Sequence, residues 1–324
     1  MKFSVVVATR NRSILLARTL HALKAQTCRD FEVIVVDDGS DNLTRDSYGD
    51  LWSSLDSRFQ LVLQGLTGQT GLGPSHSRNA AIALSQGDFL AFCDDDDFWV
   101  DDSHLDTIAE LVAQVPSLDV CISNQRAVFC DGHISEDWLP ILGELTKGRA
   151  LLGDRFIQVS IDDLCRSGGF GHLNMLVFRR SLLAKMGGAF WTRVNYEEDR
   201  DIFWRAVDQA RFITFTGKVV SQHHVPDPQK NSTVSTSFLQ QERWLVGALV
   251  SQHIATTVSH PSIVALCMRY QGDLLRHLAI RKEEQQNHSA AARLAWQALA
   301  CRFSIKWAMI CVVFSVRAAL KRQF

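Results

Sequence analysis

The chain has 324 residues, 46% of them hydrophobic and 21% charged, with a formal net charge of −1. That balance excludes a disordered or collagen-like chain and leaves room for one large domain or two modest ones. The small net charge hides an asymmetry: residues 261–324 carry ten Lys/Arg against three Asp/Glu, a balance of +7, so residues 1–260 carry −8. An acidic body with a basic tail suits a tail that faces an anionic surface, and no nucleic-acid partner is expected.

The N-terminal MKFSVVVATRNR lacks the long apolar core and cleavage site of a signal peptide and reads instead as a strand, FSVVVAT over 3–9. SILLARTLHALKAQ follows with apolar residues at helical spacing. FEVIVVDDGS (31–40) is a second buried strand ending in acids and a glycine turn, and FQLVLQ (59–64) is a third. SHSRNAAIALSQG (75–87) predicts a helix with Ser75 as N-cap and Gly87 as its stop, and DFLAFCD (88–94) a fourth strand. Apolar strands alternating with helices imply an α/β fold with a parallel sheet wrapped by helices. Ligands bind beyond the carboxyl ends of such strands, so Asp37, Asp38 and the run Asp94 to Asp97 are expected on one edge.

Further along, 103–116 predicts an amphipathic helix, and LDVCIS and QRAVFC two strands. LNMLVFRRSLLAKMGG reads as strand, helix and glycine stop, EEDRDIFWRAVDQA (197–210) as a helix, and RFITFTGKVVSQHH (211–224) as one or two strands. From about Ser237 the pattern is helical. The proline- and polar-rich VPDPQKNSTVST is the natural boundary, dividing the chain into 1–225 and 226–324. Eight cysteines (Cys28, Cys93, Cys121, Cys130, Cys165, Cys267, Cys301, Cys311) form no CxxC pair, and reduced thiols in a cytoplasmic protein are the simplest reading.

The stretch FLAFCDDDDFW (89–99) places four adjacent carboxylates directly after a buried strand. They repel one another and folding does not ask for them, so the run is either a solvated turn or the seat of something cationic. The acids opening 197–210 are favoured by the helix dipole alone. Thr9 and Asn11 can be loop formers, and Asp37 a turn residue bonding its own backbone. RSGGFGHLN (166–174) is either a flexible turn or a loop that approaches a ligand closely.

Taken in order, VVVATRNR, VIVVDDGS, SRNAAIALSQGDFLAFCDDDD, MGGAF…NYEEDRDIFWR and the pair HH resemble the family-2 glycosyltransferases over roughly residues 1–225. The resemblance implies a GT-A fold, Rossmann-like with a mostly parallel sheet flanked by helices, here with a helical C-terminal extension. It implies inverting transfer of a sugar from a nucleotide-diphosphate sugar to an acceptor hydroxyl, in surface polysaccharide or glycolipid assembly. Asp94, Asp96 and Asp97 match the family's Asp-x-Asp-Asp. Asp96 and Asp97 would hold Mg²⁺ or Mn²⁺, which offsets the charge of the leaving diphosphate, and Asp94 would meet ribose or metal-bound water. Asp95 stands where the family usually has a small neutral residue, and is expected to point into solvent or to weaken anionic ligands.

By the same resemblance Thr9, Asn11 and Asp38 serve the base and ribose. Arg78 touches the nucleotide or a metal-site aspartate, an ordinary salt bridge being its other reading. Asp199 is the base that takes the acceptor proton, Glu198 orients the acceptor, and Asp201 supports them. A histidine beside the metal is expected from the pair His223 and His224, with His224 preferred because it leads into VPDP. Gln222 stands where members often have Arg. Two rivals remain at this level: a nucleotide-sugar-binding partner subunit without catalysis, and a nucleotidyltransferase, although ATRNRS lacks the glycine-rich loop usual there.

The last segment, CRFSIKWAMICVVFSVRAALKRQF (301–324), has an apolar middle flanked by Arg302, Lys306, Arg317, Lys321 and Arg322. That apolar middle, Trp307 to Phe314, is too short to span a bilayer, which takes about 20 residues. The segment suits either peripheral contact with the cytoplasmic leaflet, near a carbohydrate or lipid-linked acceptor, or docking on the catalytic domain.

Overall fold

A computed structural model describes residues 3–68, 70–227, 229–230 and 234–321, the first two of the last span by their backbone only. The chain forms two compact units, Met1–Pro228 and Gln229–Phe324.

The first unit is built on a sheet of eleven strands. Its leading half contains β1 (Phe3–Thr9), α1 (Ser13–Lys24), β2 (Phe31–Asp38), β3 (Phe59–Gln64), α2 (Pro74–Leu84) and β4 (Phe89–Phe92). Then come α3 (His104–Gln114), β5 (Val120–Val128), β6 (Leu176–Arg179), α4 (Glu198–Gln209) and β7 (Ile213–His224). These strands lie in the order β3-β2-β1-β4-β6-β5-β7. β3, β2, β1 and β4 pair in parallel, β6 runs antiparallel between β4 and β5, and β7 is parallel to β5. Every residue of β2 and of β4 is buried, which explains the apolar runs VIVV and FLAF within them. Phe3, Val5, Val7, Val33 and Val35 point to one face, where Leu16, Leu20 and Leu23 of α1 pack at helical spacing. This is the GT-A architecture the sequence implies.

Some boundaries differ from the sequence reading. α2 starts at Pro74 behind Gly73, which has φ 97°, and Ser75 donates to the carbonyl of Val194 (3.1 Å) instead of capping. The helix also ends three residues before Gly87, whose N–H donates to Ser4 Oγ (2.8 Å) where the chain crosses β1. LDVCIS and QRAVFC merge into the single strand β5, because Asn124 and the Gln125 side-chain oxygen find partners outside this strand, although Gln125 Nε2 is buried without one. Asn124 donates to Asp137 (2.7 Å), and Gln125 accepts from Ser221 of β7 (3.3 Å). β7 is likewise one strand, with irregular register between Phe215 and Ser221.

The second unit is helical: α5 (Gln240–Thr257), α6 (Pro261–Glu284), α7 (His288–Cys301) and α8 (Ile305–Leu320), preceded by a short turn of helix. Its core joins Leu274, Leu275 and Leu278 of α6 to Ala291, Ala295 and Ala298 of α7 and to Trp307, Cys311 and Phe314 of α8. None of the described helices is long and apolar enough to cross a membrane. All eight cysteines are free, and Cys130 alone among them is exposed.

Candidate active site

The carboxyl ends of β1, β2 and β4 bring the acidic motifs together. Asp37 caps its own turn: it accepts from the Ser40 amide (3.0 Å) and from Arg45 Nε (2.8 Å). Asp38 accepts from the amides of Leu72 (2.9 Å) and Gly73 (2.7 Å), which fixes the loop before α2. A Cβ on Gly71 would collide with that carboxylate, so glycine is required by close approach. Asn11 sits in the left-handed region at φ 54°, accepts from the Asp41 amide (2.8 Å), and ties the β1 end to the β2 end. Thr9, at the end of β1, donates to Asp95 Oδ2 (2.8 Å).

Asp95 is therefore buried, not directed into solvent. It faces Arg12 Nη1 (2.9 Å), which also reaches Asp96 Oδ2 (3.0 Å). The extra carboxylate thus brings its own counter-charge, the Arg in RNR. Burial pushes the Asp96 carboxyl up to about 7, reinforced by the charges of Asp95 and Asp97.

Asp97 has a different environment. It is wholly buried, and it accepts from Asn174 Nδ2 (2.5 Å) and from the His224 amide (2.7 Å), with His223 Nδ1 at 2.7 Å. Burial disfavours its charge, but the histidine hydrogen bonds outweigh it and hold the carboxyl well below the usual range. The same contact raises His223 against its own burial. His223 is the imidazole on Asp97. The His224 ring lies at 3.5 Å from the other oxygen and turns its Nε2 to Gln222 (2.9 Å). Gln222 in turn accepts from Arg126 Nε (2.7 Å), so a guanidinium stands next to the position where Gln222 replaces one.

Arg78, from α2, is clamped between two carboxylates. Nη2 donates to Asp94 (2.7 Å) and Nη1 to Glu198 (2.8 Å). The contact with an aspartate of the run is present, and like the one with Glu198 it is a salt bridge. The clamp joins the end of β4 to the start of α4, where Glu197 sits at φ 60° and Asp199 opens the first turn. Asp199 accepts from the Arg200 amide (2.8 Å). Burial pushes its carboxyl up to about 6, against the pull of that amide and the Arg200 charge. Asp201 is buried against Arg205 (2.6 Å), which donates to the carbonyls of Gly188 (3.1 Å) and Ala189 (2.5 Å) and so anchors α4 to the preceding turn. Trp204 packs in the core.

A cation fits the donors at this edge, since Asp97, His172 and His223 present ligand atoms within 4.8 Å of one another. His172 was not singled out from the sequence.

The family model for glycosyl transferase family 2 matches residues 4–185, more than half of the chain. The chain belongs to this family. Among curated proteins, it is 34% identical over 96 residues to the GalNAc(5)-diNAcBac-PP-undecaprenol beta-1,3-glucosyltransferase of Campylobacter jejuni, covering 30% of each chain. It is 32% identical over 140 residues to the amylovoran biosynthesis glycosyltransferase AmsB of Erwinia amylovora, covering 42% of this chain and 43% of that one. The chain spans less than two thirds of the length of the curated relatives it matches, 29% of one and 64% of another. Among solved structures, S. aureus TarS 1-349 in complex with UDP-GlcNAc superposes with a TM-score of 0.65 at 18% identity, covering 92% of this chain and 82% of that one. That likeness establishes the fold.

For this family 2 chain, the motifs found by sequence contain most of the edge described above. The motif reading assigns no role to Arg12, His172 or Asn174. Arg12 lies inside a quoted motif and could have been read as the counter-charge to four acids. His172 and Asn174 belong to the glycine-rich loop, and their only sequence signal was that loop's composition.

Proposed function

We propose that this transferase moves a sugar from a nucleotide-diphosphate sugar to an acceptor hydroxyl with inversion, in the assembly of a polysaccharide or glycolipid. The observation that carries this reading is the Asp94–Arg78–Glu198 clamp. It ties Asp199, a carboxyl raised toward neutrality, to the strand end that bears the Asp/His donor set. Asp199 takes the proton of the acceptor hydroxyl as its oxygen bonds to the anomeric carbon, and the bond from that carbon to the diphosphate oxygen breaks. Glu198, held by Arg78, orients the acceptor. Thr9, Asn11 and Asp38 border the nucleoside, with Asp38 acting through the loop it holds. Asp97 with neighbouring histidine is the seat of a divalent cation, Mg²⁺ or Mn²⁺. When bound, that ion offsets the charge gathering on the leaving diphosphate. The C. jejuni relative acts on an undecaprenol-linked saccharide by its name, and TarS was solved with UDP-GlcNAc. Both support a nucleotide-sugar donor and a carbohydrate or lipid-linked acceptor here.

The test is a binding screen of UDP-, GDP- and dTDP-sugars against the full chain with Mn²⁺, Mg²⁺ or EDTA. Cation-dependent binding of at least one donor is expected, and binding of none would reject the reading. A base near 6 also sets a pH profile. Asp199 accepts a proton only when ionised, so kcat/KM should be flat above about pH 6 and fall about tenfold per unit below it. A profile still flat at pH 5 would place the base elsewhere.

The membrane contact read from the tail is carried by α8. Trp307, Cys311 and Phe314 bury one side of this helix in the helical unit. Ile305, Met309, Val312, Val313, Val316 and Leu320 lie on the other side, exposed by 46 to 72%. At helical spacing they form one stripe about 100° wide. Lys306 is exposed beside it, Lys321 at the helix end donates to the Gln286 carbonyl (3.0 Å), and Arg317, 56% exposed, pairs with Glu283. Arg322 lies outside the described residues. An apolar stripe with basic flanks fits an anionic bilayer surface, such as the cytoplasmic leaflet, better than water. The full chain should sediment with anionic liposomes at low salt, and a chain in which Met309, Val312 and Val316 are changed to Ser should remain in the supernatant. Equal behaviour of the two chains rules the contact out.

A further inference from the structure

Three features of the glycine-rich loop point at the donor set. A Cβ on Gly171 would press on Leu176 and Phe203, so the chain passes tightly over the core just before His172. Asn174, two residues on, accepts from the Asp94 amide (2.8 Å) and donates to Asp97 (2.5 Å), which fastens the loop to the end of β4. His172 is thereby held with its ring centroid 4.5 Å from that of His223, and Trp138 stands edge-on to both rings, at 5.9 and 5.7 Å.

His172 Nδ1 is buried and has no hydrogen-bond partner, while Nε2 stands 3.7 Å from Asp94. A buried imidazole nitrogen left without a partner is costly, and a bound cation would satisfy it. Asp96, by contrast, already has a cation in Arg12 and is not in the group of converging donors.

We propose that His172 is a metal ligand, and that Asp97, His172 and His223 form a two-imidazole, one-carboxylate site selective for a transition-metal ion such as Mn²⁺ over Mg²⁺. This rests on the transferase reading and deepens it. Mg²⁺ favours oxygen donors in a near-ideal octahedron, whereas imidazole suits softer divalent ions. The charge count points the same way. Within the donor set itself, one carboxylate and two neutral imidazoles leave a divalent ion with a net positive charge. A diphosphate would meet that charge; a second carboxylate ligand would cancel it.

The experiment uses the full chain and Mn²⁺, alone and with UDP. Pulsed electron paramagnetic resonance, with ¹⁴N- or ¹⁵N-labelled histidine, counts the imidazole nitrogens on the bound ion. Two are expected in the wild type. His172→Gln should lose one and weaken Mn²⁺ by at least about tenfold, the scale on which even outer-shell partners act. Mg²⁺ in tenfold excess should fail to displace Mn²⁺. No nitrogen or a single one in the wild type, no Mn²⁺ binding under either condition, or Mg²⁺ bound as tightly as Mn²⁺ would each overturn the proposal. So would unchanged affinity and nitrogen count in His172→Gln. The wild-type count needs no variant, so misfolding of His172→Gln leaves the test intact. Turnover persisting in EDTA would reject the metal-dependent transferase reading itself. Metal-dependent turnover with His172 off the ion would reject only its role as ligand.

Discussion

Asp199→Asn is expected to bind the nucleotide-sugar donor as the wild type does and to transfer sugar about 10² to 10⁴-fold more slowly, the range for a positioned general base. The amide is nearly isosteric and can still accept from the Arg200 amide, so the first turn of α4 should keep its conformation. What it cannot do is take a proton. Glu198 is a poor substitute, because its carboxylate is held by Arg78. Steady-state kinetics with donor-binding titrations check this: a fall in kcat with unchanged donor Kd is expected. A variant that turns over near the wild-type rate would move the base elsewhere.

Substitutions in the aspartate run should split sharply by position. Asp97→Asn should lose metal-dependent donor binding and transfer, since it removes the only carboxylate of the converging donor set. Asp97→Ala should also unfold more easily. It strips partners from His223, the His224 amide and Asn174, and each orphaned buried donor costs about 1–3 kcal/mol. Asp96→Ala should be mild by comparison. The Asp96 side chain is 23% exposed and its removal relieves repulsion with Asp95 and Asp97, leaving Arg12 still paired with Asp95. Thermal melts and cation titrations of the three variants measure this split. Equal loss of metal binding in Asp96→Ala and Asp97→Asn would mean that both carboxylates hold the ion.

The order of strands and helices was legible because β1, β2 and β4 are buried on both faces, and a parallel sheet writes that condition into the chain as continuous apolar runs. The shared edge of Asp38 and the aspartate run followed from the same fact. Helix ends were less legible. Ser75 looks like a cap, but its hydroxyl bonds Val194, a partner 119 residues away that local pattern cannot show. Asn124 and Gln125 looked like a break between strands because their partners, Asp137 and Ser221, are likewise nonlocal. Within the site, carboxylates clustered in sequence were easy to see. His172 reaches Asp97 and His223 only through the fold, and a single histidine after three glycines carries no spacing signal.

The most direct test of the proposed reaction is to follow both products of turnover at once. The full chain is incubated with a donor selected by the binding screen and a saccharide acceptor, with Mn²⁺ or with EDTA. Nucleoside diphosphate is quantified and the new linkage is read by NMR. The expected result is cation-dependent release of nucleoside diphosphate, matched by a glycoside whose anomeric configuration is opposite to that of the donor. Retained configuration, release of pyrophosphate, or undiminished turnover in EDTA would contradict it.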